Sequence, residues 1–222
     1  MNALAKKKLK IEMIHDIVCS WCPIGYRNIK TAIDSLNIEV DFHFIPFELN
    51  PEMEERGELI ASYFNRQFGW NTRKLQEYQQ SLVKTAAKAD VNIDFSKRKY
   101  YYNTHKAHLL MYWAERFNKQ NELNERLIEA YFEHGKDISK IEILLIIAEQ
   151  VGLDRALTAN ALSSVNLGLE LGIKVKRRNV LNIQNIPAFL VSGNILISGS
   201  NSVETFEKTL SNLVLNLELN SQ

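Results

Sequence analysis

Two stretches of mixed strand and helix pattern, one at each end of the 222-residue chain, bracket a long segment whose apolar residues repeat only at helical spacing. No all-α or all-β fold accommodates that order. At the first end, "KIEMIHDIV" (10–18) mixes β-branched and polar residues at strand length and predicts a strand near 10–15. From Pro23 onward Ile24, Ile29, Ala32, Ile33 and Leu36 fall on one face of a helix. "IEVDFHFIPFEL" (38–49) alternates and is rich in Val, Ile and Phe, which predicts a second strand.

The middle is helical. Leu75, Tyr78, Leu82 and Ala86 keep helical spacing; so do Ala107, Leu110, Met111, Ala114 and Phe117, and then Leu123, Leu127, Ile128, Tyr131 and Phe132. Ser139-x-x-Glu142 reads as a capping box, and a further helix is expected over 161–181, ended by Asn182. No β pattern interrupts 55–181, and no fixed-period repeat is present. Strand character returns in "IPAFLVSGNILISG" (186–199), two short strands around a Ser192-Gly193-Asn194 turn. Asn201-x-x-Glu204 reads as another capping box, before a stripe of Val203, Phe206, Leu210, Leu213 and Leu217.

Cys19 and Cys22, the only cysteines, fall between the first strand and its helix. Their spacing suits half a zinc site, a redox couple or a structural role. Zinc needs two more ligands, and the only close histidine pair is His105 and His108, in a helical pattern; no metal is expected. A formal net charge of +1 argues against nucleic acid or an anionic membrane as partner. No apolar run reaches the roughly 20 residues of a membrane helix. "MNALAKKKLKIEMIHDIV" lacks a secretory apolar region, so the expected compartment is the cytoplasm, where a stable structural disulfide is disfavoured.

A dithiol at a helix N-terminus has a natural chemistry. Free N–H groups and a positive partial charge there favour the thiolate, which is the nucleophile. Cys19, at the exposed start of the helix, is expected to attack, and Cys22, one turn inside, to resolve the mixed disulfide. Ser20 and Trp21 between them carry no charge; Trp21 suits packing and a substrate-facing surface equally. Pro23 sits in the first turn, where a missing N–H costs little. Ile186-Pro187, at the start of a later strand, is a candidate cis bond that would expose the Ile186 backbone for pairing with an extended peptide. Asp16 reads as an exposed strand-end acid, with proton transfer at the dithiol as its alternative role. "YYYNTHKAHLLMYW" (100–113) reads as helix core, or as an aromatic and Met surface for a ligand.

Taken in order, "DIVCSWCPIG" (16–25), "YNTHKAHLL" (102–110), "AYFEHGKDIS" (130–139), "NIPAFLV" (185–191) and "ISGSNSVETFEKTL" (197–210) resemble the DsbA family, in detail its FrnE-like cytoplasmic branch. The resemblance implies an α/β, thioredoxin-like fold (βαβ…ββα) with a large inserted all-α domain. Residues 1–54 and 182–222 would form the thioredoxin-like part and 55–181 the insertion. It makes Cys19 and Cys22 the redox pair, Pro187 the cis proline, and Ile186, Ser20 and Trp21 substrate contacts. The implied activity is thiol–disulfide exchange on protein thiols or disulfides, with no cofactor beyond the redox-active disulfide and with glutathione as a co-substrate candidate. The chain departs from the branch in having Ser20-Trp21 and then Pro23, where proline-tryptophan and an aromatic are usual. It also has Asn182 and Asn185 at positions usually held by glycine. The same architecture serves glutathione-dependent 2-hydroxychromene-2-carboxylate isomerases and kappa-class transferases, which typically carry serine at the first cysteine position. A non-catalytic peptide-binding or chaperone protein is the third alternative.

Overall fold

The computed structural model describes residues 8–219; the lysine-rich start of the chain lies outside them. β1 (Leu9–His15) leads into helix α1 (Trp21–Leu36), which crosses back to β2 (Val40–Pro46), and the two strands pair in parallel. The helical segment then opens with a two-residue strand, β3 (Glu58–Leu59), before α2 (Ile60–Phe68) and α3 (Thr72–Lys88). A second two-residue strand, β4 (Tyr100–Tyr101), pairs antiparallel with β3. There follow α4 (His105–Glu115), α5 (Gln120–Ile128) running into a π turn (Glu129–Glu133), α6 (Ile141–Gln150), α7 (Arg155–Leu162) and α8 (Val165–Val180). β5 (Ala188–Val191), β6 (Ile195–Ser198) and α9 (Val203–Leu219) complete the chain. The main sheet has the order β2–β1–β5–β6, with β5 antiparallel to both β1 and β6.

β1 is central, with strands on both sides and helices over both faces, so Ile11, Met13 and Ile14 are all buried. Its one buried acid, Glu12, is clamped by the two terminal guanidinium nitrogens of Arg177 on α8, one at 2.6 Å, with Lys10 at 3.4 Å. Burial pushes the Glu12 carboxyl up, but the Arg177 hydrogen bond and the two cations hold it below the usual range. The β5–β6 turn takes positive φ at Ser192 and Gly193, the conformation that lets a tight hairpin match strand twist. On α9, Phe206 and Leu210 are fully buried, Phe206 edge-on to Phe189 at 5.1 Å, and α9 packs on α1. The side chain of Leu217 lies outside the described ones.

The expected all-helical middle holds except for the β3–β4 ladder, which is too short to carry a period-2 pattern. The helix expected over 161–181 is interrupted at Ser163 and Ser164, so 161–162 close α7 and α8 begins at Val165; Asn182 does take positive φ, at 51°. Neither capping box forms. Ser139 lies two residues before α6, and its hydroxyl donates to Asp137 Oδ1 (2.5 Å), with the Glu55 carbonyl at 3.2 Å. Asn201 donates to the Ser198 and Gly199 carbonyls, while Ser202, immediately before α9, accepts from the Thr205 N–H at 3.3 Å.

Sheet and helices share one continuous core that joins Ile11, Met13 and Phe44 to Leu82, Leu110, Leu127 and Phe132. A polar knot crosses the same seam. Glu115 on α4 accepts from His43 Nδ1 of β2 at 3.2 Å and from Lys174 of α8. Burial pushes the Glu115 carboxyl up, but the hydrogen bonds from His43 and Lys174 hold it down to about 2. The folded value lies below the ordinary 4.5, so this stabilisation is present above pH 4.5 and is lost as pH falls toward 2. In Glu115→Gln the difference in urea midpoint between pH 6 and pH 3 is expected to shrink; an unchanged difference contradicts this role.

Candidate active site

β1 ends at His15, and residues 16–20 carry the chain into α1. This loop is folded by its own backbone: the Cys19 N–H donates to the Asp16 carbonyl and the Cys22 N–H to the Cys19 carbonyl, both at 3.1 Å. Ser20 is the N-cap in the helical region, with no side-chain cap bond. Cys22 therefore lies in the first turn, and Cys19 just ahead of the helix. The pair approaches to 3.3 Å and is not joined. Burial pushes the Cys22 thiol far up, and a hydrogen bond with the Cys19 sulfur adds to it.

The expectation of an exposed Cys19 is corrected. It is only 7 % exposed, and with Cys22 it belongs to the core that the sheet shares with α3 and α4. The cover comes from the helical segment, which no local pattern around the cysteines reveals. Ser20 is buried, whereas Trp21 stands at the surface, 37 % exposed. Burial raises the Tyr78 phenol on α3, a Trp21 hydrogen bond partly offsets it, and the charge of Cys19 adds to the rise. Burial likewise pushes the Tyr101 phenol up to about 12, Arg98 opposing and Cys19 adding.

The loop before β5 reaches the same helix. The Ile186–Pro187 peptide is cis, and Pro187 is buried against the first turns of α1. A Cβ built on Gly25 would stand 2.9 Å from Pro187 Cγ and 3.3 Å from Phe189 Cζ. Pro187 accepts from the Gly199 N–H at 2.8 Å, whereas among the described residues neither backbone polar group of half-buried Ile186 is hydrogen-bonded. The close approach requires glycine at position 25. Gly25→Ala should cost roughly 1–3 kcal/mol by overpacking and move Pro187 off α1. Urea denaturation measures it, and a loss below about 0.5 kcal/mol would show that the loop yields freely.

Asp16 is the second correction. It is fully buried. Its carboxylate accepts from the Leu49 N–H at 2.7 Å and the Val18 N–H at 3.5 Å, and stands 3.4 Å from His108 Nε2, whose other close partner is the Phe47 carbonyl at 3.2 Å. His15 lies edge-on to His108, ring centroids 5.6 Å apart. Burial, with the charge of His108 second, pushes the His15 imidazole well below its usual range, so it is neutral at pH 7. Asp16, His15 and Cys22 line one small crevice together with Asn124. His105 turns away to pair with Glu48 at 2.9 Å. Among the described residues no three His, Cys, Asp or Glu side chains cluster as a metal site.

Arg98, which the sequence reading passed over, is buried directly behind the loop, 2 % exposed. Its Nη2 donates to the Val18 carbonyl, next to Cys19, at 3.0 Å. Its guanidinium carbon stands 4.7 Å from the Tyr131 and Phe132 rings and 5.2–5.3 Å from those of Tyr101 and Phe95. Among the described residues no carboxylate lies within ion-pair distance of it. The only local sequence signal is "KRKYYY", a cation beside aromatics, which is commonplace on a surface.

A four-stranded sheet with two facing thiols at the start of its first helix and a proline loop against that helix defines a thioredoxin-fold dithiol protein. The DSBA-like thioredoxin domain matches residues 10–211, and the chain belongs to that family of thiol oxidoreductases. It is 29 % identical to YwbO of Bacillus subtilis (strain 168) over 202 residues, 90 % of this chain and 95 % of that one. Among solved structures, the probable DsbA oxidoreductase SCO1869 of Streptomyces coelicolor superposes with a TM-score of 0.86 at 20 % identity, over 92 % of this chain and 89 % of that one. The cytosolic disulfide reductase DsbM of Pseudomonas aeruginosa, solved with GSH, superposes with a TM-score of 0.62 at 13 % identity, over 95 % and 98 %. At these identities the two structures speak for the fold. Within the described residues no helix is long and apolar enough to cross a membrane.

Proposed function

We propose that the protein is a cytoplasmic thiol–disulfide oxidoreductase acting through the Cys19-Ser20-Trp21-Cys22 dithiol. The observation that carries this reading is the pair itself: two thiols 3.3 Å apart at a helix start. In the reducing direction the Cys19 thiolate attacks a substrate disulfide, forming a mixed disulfide and releasing one substrate thiolate. Cys22 then loses its proton and attacks Cys19 Sγ, releasing the second substrate thiolate and leaving the Cys19–Cys22 disulfide. Cys22 begins as a protonated, buried thiol, so its step needs a proton acceptor. We take Asp16, which lines the same small crevice, as the candidate acceptor. Ile186 offers an unpaired backbone edge to an extended substrate, and Trp21 an exposed aromatic surface. The equilibrium of the pair with glutathione tests the proposal. A single two-electron transition, lost in Cys22→Ser, is expected; an absence of exchange with glutathione at pH 7 contradicts it.

One observation favours a second reading. Cys19 is nearly covered, which suits a narrow substrate such as glutathione better than a folded protein. A glutathione-dependent isomerase on this architecture would require glutathione without consuming it and would survive Cys22→Ser.

A further inference from the structure

The dithiol steps leave one fully buried histidine, His108, without a part. It stands at the start of α4 and is 1 % exposed. Its Nε2 has two oxygens in reach, the Phe47 carbonyl at 3.2 Å and Asp16 Oδ1 at 3.4 Å. A carbonyl cannot donate, so Nε2 carries the proton in either charge state of the ring, and its N–H is shared between the two oxygens. The hydrogen bonds to the Asp16 carboxylate come from the main chain: the Leu49 N–H on Oδ2 at 2.7 Å and the Val18 N–H on Oδ1 at 3.5 Å. His108 adds a side-chain N–H, which a substitution can remove without altering either backbone donor.

We infer that His108 is a positioning residue for the second chemical step: its Nε2–H keeps Asp16 an anion, so that Asp16 can take the Cys22 proton. The inference rests on the dithiol reading proposed above. Asp16 is fully buried, and a buried carboxylate stays charged only where donors replace the water it has lost. It must be charged before it can accept. The Cys22 S–H proton then passes to Asp16, the freed sulfur pair bonds to Cys19 Sγ, and the substrate sulfur leaves with the electrons of the broken disulfide. Both contacts to Oδ1 are long, so they hold the charge without cancelling its basicity. The other groups facing the pair make no competing claim on it. Glu48, beside His108, is taken by His105 at 2.9 Å. Lys174 of α8, which lines a small crevice with His108, is bonded to Glu115. His15 is neutral. Tyr63 of α2 and Tyr131 of the π turn face Asp16 with phenols that burial pushes up, so both are neutral at pH 7.

The test separates the two steps. The reduced full chain is mixed with excess glutathione disulfide, and quenched samples are weighed by mass spectrometry between about pH 4 and 8. Gain of one glutathionyl group reports the Cys19 attack, and its loss reports resolution by Cys22. His108→Phe keeps a flat ring and has no donor. It should move the pH midpoint of resolution upward by about one pH unit, which is about tenfold slower resolution below the midpoint. A loosened structure would instead slow both steps at every pH and leave the midpoint in place. His108→Gln, whose amide N–H reaches toward the same oxygen, should restore most of the shift. In an Asp16→Asn background, His108→Phe should change nothing further, because the two act through one carboxylate. His108→Leu, also without a donor, gives the same reading if circular dichroism shows the phenylalanine variant unfolded. An unmoved midpoint, a glutamine variant no better than the phenylalanine one, or effects that add in the double variant overturn the inference alone. A wild-type chain that forms no adduct overturns the dithiol reading, and this inference with it.

Discussion

Cys22→Ser should accumulate as a stable mixed disulfide with its substrate through Cys19, while Cys19→Ser should lose exchange by at least about a thousandfold. The asymmetry follows from position. Cys19 precedes the helix, held by its N–H to the Asp16 carbonyl, and is the less buried of the two sulfurs, 7 % exposed against 3 % for Cys22. Cys22 is deeper, its thiol held protonated by burial and by the Cys19 sulfur. Cys22 acts only after Cys19 has been consumed, so removing it stops the cycle at the covalent intermediate and leaves the first attack intact. Mass spectrometry of the variant after incubation with glutathione disulfide reads the trapped adduct as a gain of one glutathionyl group. A variant that forms no adduct, or one carried by a Cys19→Ser chain, contradicts the assignment.

The second large effect is expected at Arg98. Arg98→Ala should cost about 3 kcal/mol or more, because it opens a cavity among four aromatic rings and leaves the buried Val18 carbonyl without its charged donor. Arg98→Met separates the two contributions. Methionine refills most of the volume and removes a buried cation that has no carboxylate beside it, which relieves a desolvation cost. It should therefore be clearly more stable than the alanine variant, yet slower in exchange than wild type, since the Val18–Cys19 backbone is no longer held. Urea midpoints and the rate of Cys19 alkylation at pH 7 measure both. Equal stability of the two variants, or wild-type alkylation in Arg98→Met, would remove Arg98 from the support of the loop.

The residues differ in how openly the sequence announces them. Cys19 and Cys22 are legible because their spacing and the strand and helix patterns around them are local. Pro187 stands out for a similar reason, as a proline at the head of an apolar run, and the hairpin after it is signalled by Ser192-Gly193-Asn194. Asp16 and His108 were harder. Each has an innocent surface reading, and only the folding of 47–49 and α4 over the end of β1 buries them together. Arg98 was illegible, because its partners are Val18 and rings at 95, 101, 131 and 132, brought in from distant positions. The failed capping boxes mark the same boundary: Ser139 and Asn201 each had a nearer backbone or side-chain partner than the helix they precede.

Period and punctuation by themselves determined the order of the main-sheet strands and the helical middle, and the place of the dithiol at a helix start, because those depend on residues a few positions apart; the family came from the resemblance of whole segments. Tertiary structure alone decided how far the dithiol is covered and which charge lies behind it. Those depend on which distant surfaces meet, and burial is a property of the assembled core that no local pattern carries.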